Sequence, residues 1–368
     1  MKVEFSYLKR QFSEPAEYFR DLRELVDSCE FTLGPFVDRF EKRIANYVGV
    51  RHAIGVNTGT DALILCLQSL GVGAGDEVIT TPNTFIATVG AIVATGARPV
   101  FVDCNERMHI DPEKIASAVT DRTRVILPVH WTGAAADMSA ILALAEDVGV
   151  DVVEDACPAL GASISGRKCG SLGRVNAFSM HPLKLLNVWG DGGLVVTDDD
   201  ELARHLRLYH NHGLADRDRV EIWGVNRRLQ PVQAVVANRL MDRLEEDLGR
   251  RIQNARWMNQ ALSGLEDMVV TPASRSDGRD VVHLYVLRVQ RRDKLRRFLE
   301  GKGVECKVHY PVPLHLQPAA RELGYKVGDF PESERQAGEI LTLPLHHLNT
   351  QGELEYMAEC IIEFYNRA

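Results

Sequence analysis

Between residues 50 and 210 the chain alternates short apolar runs with stretches of helical periodicity, and few folds can absorb that alternation. The runs are Ala53–Val56, Glu77–Thr80, Pro99–Val102, Val125–Val129, Asp151–Glu154, Ala177–Ser179 and Leu194–Thr197. They are rich in β-branched residues and lack strict alternation, which suits strands covered on both faces. The helical stretches fall at 60–71, 84–95, 112–119, 137–148 and 199–209. Strand and helix in this succession predict an α/β, doubly wound domain, with a mainly parallel sheet flanked by helices. Ahead of it, Tyr18, Leu22, Leu25 and Val26 share one helical face. Thr32-Leu33-Gly34-Pro35 breaks that pattern, and a second helix is expected over 36–47.

The pattern changes near residue 240. A long helix rich in charge and leucine is expected over 230–263, then a strand at 281–289, a helix at 292–302, a strand at 304–308 and a closing helix at 352–366. This predicts a large domain over 1–240, with an N-terminal helical arm, and a smaller α+β domain over 241–368. The formal net charge of -8 argues against nucleic acid as a partner, because phosphate binding needs clustered positive charge. The basic run Arg291, Arg292, Lys294, Arg296 and Arg297 sits on a helix-like segment and reads as a solvated face. No stretch approaches the roughly 20 apolar residues that cross a bilayer. Met1 to Arg20 has no signal-peptide pattern, and the 7 cysteines are scattered without a CxxC pair. A cytoplasmic protein with reduced thiols is expected.

Three segments carry chemistry. In Val56-Asn57-Thr58-Gly59-Thr60-Asp61 a strand ends and a polar turn opens a helix. Free N–H groups and the positive helix end there can hold a phosphate, and Thr58 and Thr60 add hydroxyls, although a threonine-capped helix explains the same residues. In Val152-Val153-Glu154-Asp155 carboxylates follow a buried strand, where ligands of open α/β sheets lie. Asp155 there can keep a ring nitrogen protonated, or simply cap a surface helix. The third segment, Phe178 to Gly193, sets one lysine, Lys184, among Leu183, Leu185 and Leu186 before Gly190, Gly192 and Gly193. Apolar surroundings disfavour the charged lysine and make it a nucleophile for carbonyls. A purely structural Lys184 would need a paired carboxylate, for which Asp191 is at hand.

With these in place, the chain resembles the DegT/DnrJ/StrS aminotransferases, fold-type I pyridoxal-phosphate (PLP) enzymes that aminate sugars. The matching pieces run in order from Thr32-Leu33-Gly34-Pro35 through Asn57-Thr58-Gly59-Thr60-Asp61, Asn83-Thr84-Phe85, Glu154-Asp155-Ala156, Ser179 with Lys184, and Gly190-Asp191-Gly192-Gly193. They continue to Asn211-His212-Gly213, Asn226 with Arg228, and His309-Tyr310-Pro311. The resemblance implies that Lys184 is the catalytic Schiff-base lysine and that Asp155 pairs with the pyridinium nitrogen. It implies that Phe85 stacks on the ring, that Thr58, Gly59, Thr60 and Ser179 form the phosphate cup, and that Asn226 reaches the phosphate of a neighbouring subunit. A homodimer with shared active sites follows. Arg228 is a candidate for the amino donor's carboxylate, and His181, His309 and Tyr310 for substrate contacts. The implied reaction is ping-pong transfer of an amino group from an amino acid, glutamate by analogy, to a keto-sugar that is nucleotide-linked, with pyridoxamine phosphate as the intermediate cofactor form.

Two positions depart from the family. Pro158 stands where a glutamine usually contacts the cofactor's phenolic oxygen, and His210 stands where arginine is common. The histidines match no zinc spacing, so no metal is expected. Another fold-type I activity (lyase or amino-acid aminotransferase) and a non-catalytic PLP-binding regulator remain as alternatives.

Overall fold

A computed structural model describes residues 1–367. The predicted apolar runs form seven strands: β1 His52–Val56, β2 Glu77–Thr80, β3 Arg98–Phe101, β4 Thr123–Ile126, β5 Asp151–Val152, β6 Val175–Ser179 and β7 Gly193–Thr197. Strands β3, β2, β4 and β5 pair in parallel in that order. Asp155 then bridges Val129 on one side and Ala177 on the other, both in parallel, which joins β5 to β6. Strand β7 lies between β6 and β1 and is antiparallel to both. The result is one mainly parallel sheet in the order β3-β2-β4-β5-β6-β7-β1.

Alternate residues of these strands enter different cores. Ala53, Ile79, Ile126, Val152 and Phe178 face one, and Ile54, Val78, Val125, Val153 and Ala177 face the other. Both faces are dry, which is why the runs lack polar alternation. A third core gathers Tyr285, Leu287, Leu295, Leu341, Leu343, Met357 and Ile361 around an antiparallel sheet of Val269–Val270, Tyr285–Val289 and Ile340–Leu343. Val3 is buried in this third core and bridges Val304 in parallel. The chain's first residues therefore pack with its last hundred.

Three elements differ from expectation. The 230–263 helix is two helices, Pro231–Met241 and Leu244–Ala261. The first buries Ala234, Val236 and Ala237 beside the sheet, while the second lends Ala255 and Met258 to the third core. The second helix also sends Leu244 and Leu248 into the first core, and the chain turns between the two helices at Asp242, held by Arg43 at 2.7 Å. The strand expected over 281–289 is shortened to Tyr285–Val289. Val281 N–H instead donates to Gly133 O at 2.8 Å and Leu284 N–H to Thr132 O at 3.2 Å, which ties this segment to a loop of the large sheet. The 304–308 strand is reduced to two isolated bridges, Val304 with Val3 and Lys307 with Thr342. Among the described residues no helix is long and apolar enough to cross a membrane.

A fully buried pair fixes the carboxyl ends of β4 and β5. His130 Nε2 donates to Glu154 Oε2 at 2.7 Å, while its Nδ1 accepts from Ala136 N–H at 3.1 Å. Glu154 also accepts the amides of Gly170, Leu172 and Gly173 at 2.8, 2.6 and 2.8 Å. Burial alone would raise its carboxyl, but His130 and these amides outweigh that and hold it below the usual carboxylate range. Cys169 lies close enough to make a potential metal-binding trio, yet the Glu154 oxygens and the His130 Nδ1 are already occupied by protein donors. The network is structural. Glu154→Ala leaves one imidazole and three amides unpaired and is expected to cost about 3–5 kcal/mol, read from the urea unfolding midpoint.

Candidate active site

A cavity of about 420 Å³ opens beyond the carboxyl ends of the parallel strands. Thr58, Gly59 and Thr60 reach it after β1, Asp155 after β5, Ser179 at the last position of β6, and His181 and Lys184 after it. Phe85 enters at the start of the Ile86–Ala94 helix. His283, His309 and Tyr310 close it from the side of the third core, and Phe5 and Tyr7 come from the N-terminal arm.

Lys184 is held by its backbone and left free at its tip. Tyr7 Oη donates to Lys184 O at 3.0 Å, and Asn187 Nδ2 donates to the same oxygen at 3.3 Å. Gln11 Nε2 steadies Asn187 at 3.0 Å. No carboxylate lies within ion-pair distance of the ammonium group among the described residues, so Asp191 does not serve as a structural partner. Burial lowers the Lys184 pKa from its ordinary value, an effect that Cys157 and Asp155 only partly offset. A larger share of unprotonated amine, the nucleophilic form, follows.

Asp155 is buried and aimed by its neighbours. Thr88 Oγ1 donates to Oδ2 at 2.8 Å, and Cys157 N–H to Oδ1 at 3.2 Å. Thr84 bonds Thr88 in turn at 2.9 Å. Phe85 is 50% exposed, unusual for so large an apolar ring, and lines the cavity beside Tyr310 at 5.9 Å. Pro158 and Cys157 also line the wall, and the Pro158 side chain has no hydrogen-bond donor to replace the glutamine usual there.

The phosphate end is a backbone cradle. Thr58 caps the Gly59–Ser69 helix by accepting from Asp61 N–H at 2.9 Å, so the capping role is real, and it leaves the first-turn amides without intrahelical partners. A Cβ on Gly59 would lie 2.5 Å from Ser179 Cβ, and one on Gly193 would lie 2.2 Å from Thr58 O. Only glycine at both positions lets the helix end, Ser179 and β7 close on one point. Two lining residues also carry a buried ring nitrogen without a protein partner, Nε1 of Trp131 and Nδ1 of His283. A helix end for a phosphate, a carboxylate for a ring nitrogen, an exposed aromatic ring and a free lysine fit a phosphorylated pyridine aldehyde.

Ten of the residues expected to form the site thus share this cavity: Thr58, Gly59, Thr60, Phe85, Asp155, Ser179, His181, Lys184, His309 and Tyr310. Asn226 and Arg228 lie outside it. Arg228 donates from Nε to Asn226 Oδ1 at 3.1 Å and from Nη1 to Asn211 Oδ1 at 2.9 Å, which fixes both residues on a neighbouring strip. No motif places Tyr7, Arg251, His283 or His346 in the site, yet all four line the cavity. Arg251 sits in a charged helical segment where one inward arginine looks like its outward neighbours. Burial chiefly pushes His283 well below its ordinary value, His309 down to about 4 and His346 to about 3, which leaves these three imidazoles neutral.

The mainly parallel sheet, the lysine loop and the facing carboxylate define a fold-type I pyridoxal-phosphate enzyme. More particularly, the chain belongs to the DegT/DnrJ/EryC1/StrS aminotransferase family, whose model matches residues 13–362. It is 41% identical to a pleiotropic regulatory protein of Geobacillus stearothermophilus over 369 residues, 99% of each chain. It is also 41% identical to a dTDP-3-amino-3,4,6-trideoxy-alpha-D-glucose transaminase of Streptomyces venezuelae, over 94% of this chain and 91% of that one. DesV of S. venezuelae, solved in complex with a ketimine intermediate, superposes with a TM-score of 0.97 at 39% identity, covering 100% of this chain and 99% of that one.

The arm that steadies Lys184 is itself anchored by a charge. Arg10 forms a two-point ion pair with Glu353 of the C-terminal helix, with Nη1 to Oε2 at 3.0 Å. Burial would raise the Glu353 carboxyl, but Arg10 and the Thr350 amide outweigh it and hold it at about 2, against 4.5 when unpaired. A depressed carboxyl stabilises the fold above its unfolded pKa, and that stability is lost as pH falls from about 4.5 toward about 2. Glu353→Gln is expected to be less stable than the parent at pH 7 and to converge with it only as the pH falls to about 2, checked by thermal unfolding across that range.

Proposed function

We propose that this protein transfers an amino group from an amino acid, with L-glutamate as donor, to a keto group of a nucleotide-linked sugar in amino-sugar biosynthesis. Pyridoxal phosphate is the cofactor and Lys184 the residue that carries it. The observation that supports this best is the unpaired Lys184 facing a buried, oriented Asp155 in one cavity. When bound, the cofactor supplies an electron sink for the pair left when a proton leaves the donor's α-carbon. The Asp155 carboxylate keeps a ring nitrogen protonated, and Thr88 with the Cys157 amide keeps that carboxylate turned inward. The Gly59–Ser69 helix end holds the phosphate, and Phe85 covers the ring face. Lys184 Nζ takes the donor's α-proton, and in the second half-reaction gives a proton to the carbon that bears the new amine. Its backbone stays fixed by Tyr7 and Asn187 while Nζ moves.

The site is completed by a second copy of the chain. Asn226 is exposed and lies outside its own cavity, and Trp223 nearby is 91% exposed, a large apolar surface that a partner would cover. In the partner's site Asn226 reaches the phosphate, and Arg228 travels with it. The two separate cores support a division of the chain near residue 240, with the arm bound to both parts. Seven cysteines, all free, suit the reducing cytoplasm.

A second reading, a regulator that binds the cofactor without turnover, is favoured by the name of the Geobacillus relative. The two readings separate on one experiment. The loaded protein should absorb in the visible, and glutamate should bleach that band. Borohydride should fix the cofactor on Lys184, and Lys184→Ala should lose at least about 10³-fold in turnover. A band that no amino acid bleaches favours the regulator. For the shared site, mixing inactive Lys184→Ala with inactive Asn226→Ala should restore activity, since a mixed dimer contains one site with both residues intact. Mixtures that stay inactive after subunit exchange speak against sharing.

A further inference from the structure

The geometry points to Arg251, on the Leu244–Ala261 helix, as the receptor for the amino donor's carboxylate, an assignment that rests on the aminotransferase reading above. Arg251 is 3% exposed and lines the same cavity as Lys184. A guanidinium buried that deeply ordinarily carries a carboxylate partner. Among the described residues none lies within ion-pair distance of it. Asp247, one helical turn earlier, is instead directed to Arg243 at 3.5 Å and toward His347 at 3.9 Å. The one hydrogen bond from the Arg251 fork runs from Nη1 to Val282 O at 3.4 Å, at the weak end of the range. Its group stacks over the Tyr7 ring at 5.0 Å, which holds the plane without consuming its donors. The surrounding imidazoles, His283 and His346, are neutral and supply no countercharge.

A planar fork with free donors takes a carboxylate in two parallel hydrogen bonds. Of the two substrates, only the amino acid (and the keto acid it becomes) carries an anion on the carbon next to the reacting bond. A sugar nucleotide carries its charge on the diphosphate, away from the reacting keto carbon. Arg251 therefore selects α-amino acids over simple amines.

The test uses holoenzyme: the parent, Arg251→Gln, Arg251→Lys and Arg228→Gln. Each is titrated with glutamate while the cofactor band is followed, and with succinate, an unreactive dicarboxylate, by calorimetry. Arg251→Gln should keep its cofactor band and thermal midpoint, while half-saturating glutamate rises about tenfold to a hundredfold and succinate binding weakens in parallel. Arg251→Lys, which keeps the charge but not the fork, should fall between. The half-saturating keto-sugar concentration should move by less than about threefold. Unchanged glutamate and succinate binding in Arg251→Gln overturns the assignment, as does a rise seen in Arg228→Gln alone. Should Arg251→Gln fail to fold, Arg251→Lys decides, and parent-like titrations overturn it. A parent that no amino acid bleaches overturns the aminotransferase reading, while succinate binding to the parent and to Arg251→Lys still tests the arginine as a carboxylate receptor.

Discussion

A sheet dry on both faces has no place for polar chemistry except beyond the ends of its strands, and this constraint organises the whole molecule. Val78 and Ile79, or Val152 and Val153, are spent on opposite cores, so the first polar side chain able to act is the one just past each strand. Thr58 and Asp155 lie within three residues of a strand's end, and Ser179 is itself the last residue of its strand. Parallel pairing then brings these ends to one edge, and the cavity forms there without any long excursion of the chain.

Strand ends alone would leave the site loosely aimed. The His130–Glu154 pair prevents this by consuming three backbone amides of the 170–173 loop directly behind Asp155. Glu154 and Asp155 are adjacent in sequence yet have opposite tasks: one is saturated by protein donors, the other keeps acceptor capacity toward the cavity. Charge alone does not separate the two. The number of donors each receives does, because a carboxylate with every lone pair occupied has nothing left for a ligand.

Much of this was legible in the sequence, for identifiable reasons. The large sheet was visible because burial on both faces is written residue by residue in β-branched runs, and every one of the seven became a strand. Lys184 and Asp155 stood out because charged residues beside long apolar runs are rare. The third core was read less well. Its helix break at Asp242 involves no glycine or proline, so no residue type in the sequence marks it. The 281–284 segment looks like a strand but spends its N–H groups on Gly133 and Thr132. Arg251 and His283 reach the cavity only through these tertiary choices, so their part in the site lay beyond any motif.

The pairing of Val3 with Val304 has a consequence for synthesis. The arm that holds the lysine loop through Tyr7 emerges from the ribosome well before its docking surface, the third core and the C-terminal helix bearing Glu353. At ordinary translation rates the arm waits on the order of tens of seconds. During that interval the large sheet can form while the wall of its cavity is still missing. A nascent chain at that stage lacks a finished pocket, and the pocket closes only when the arm meets the third core.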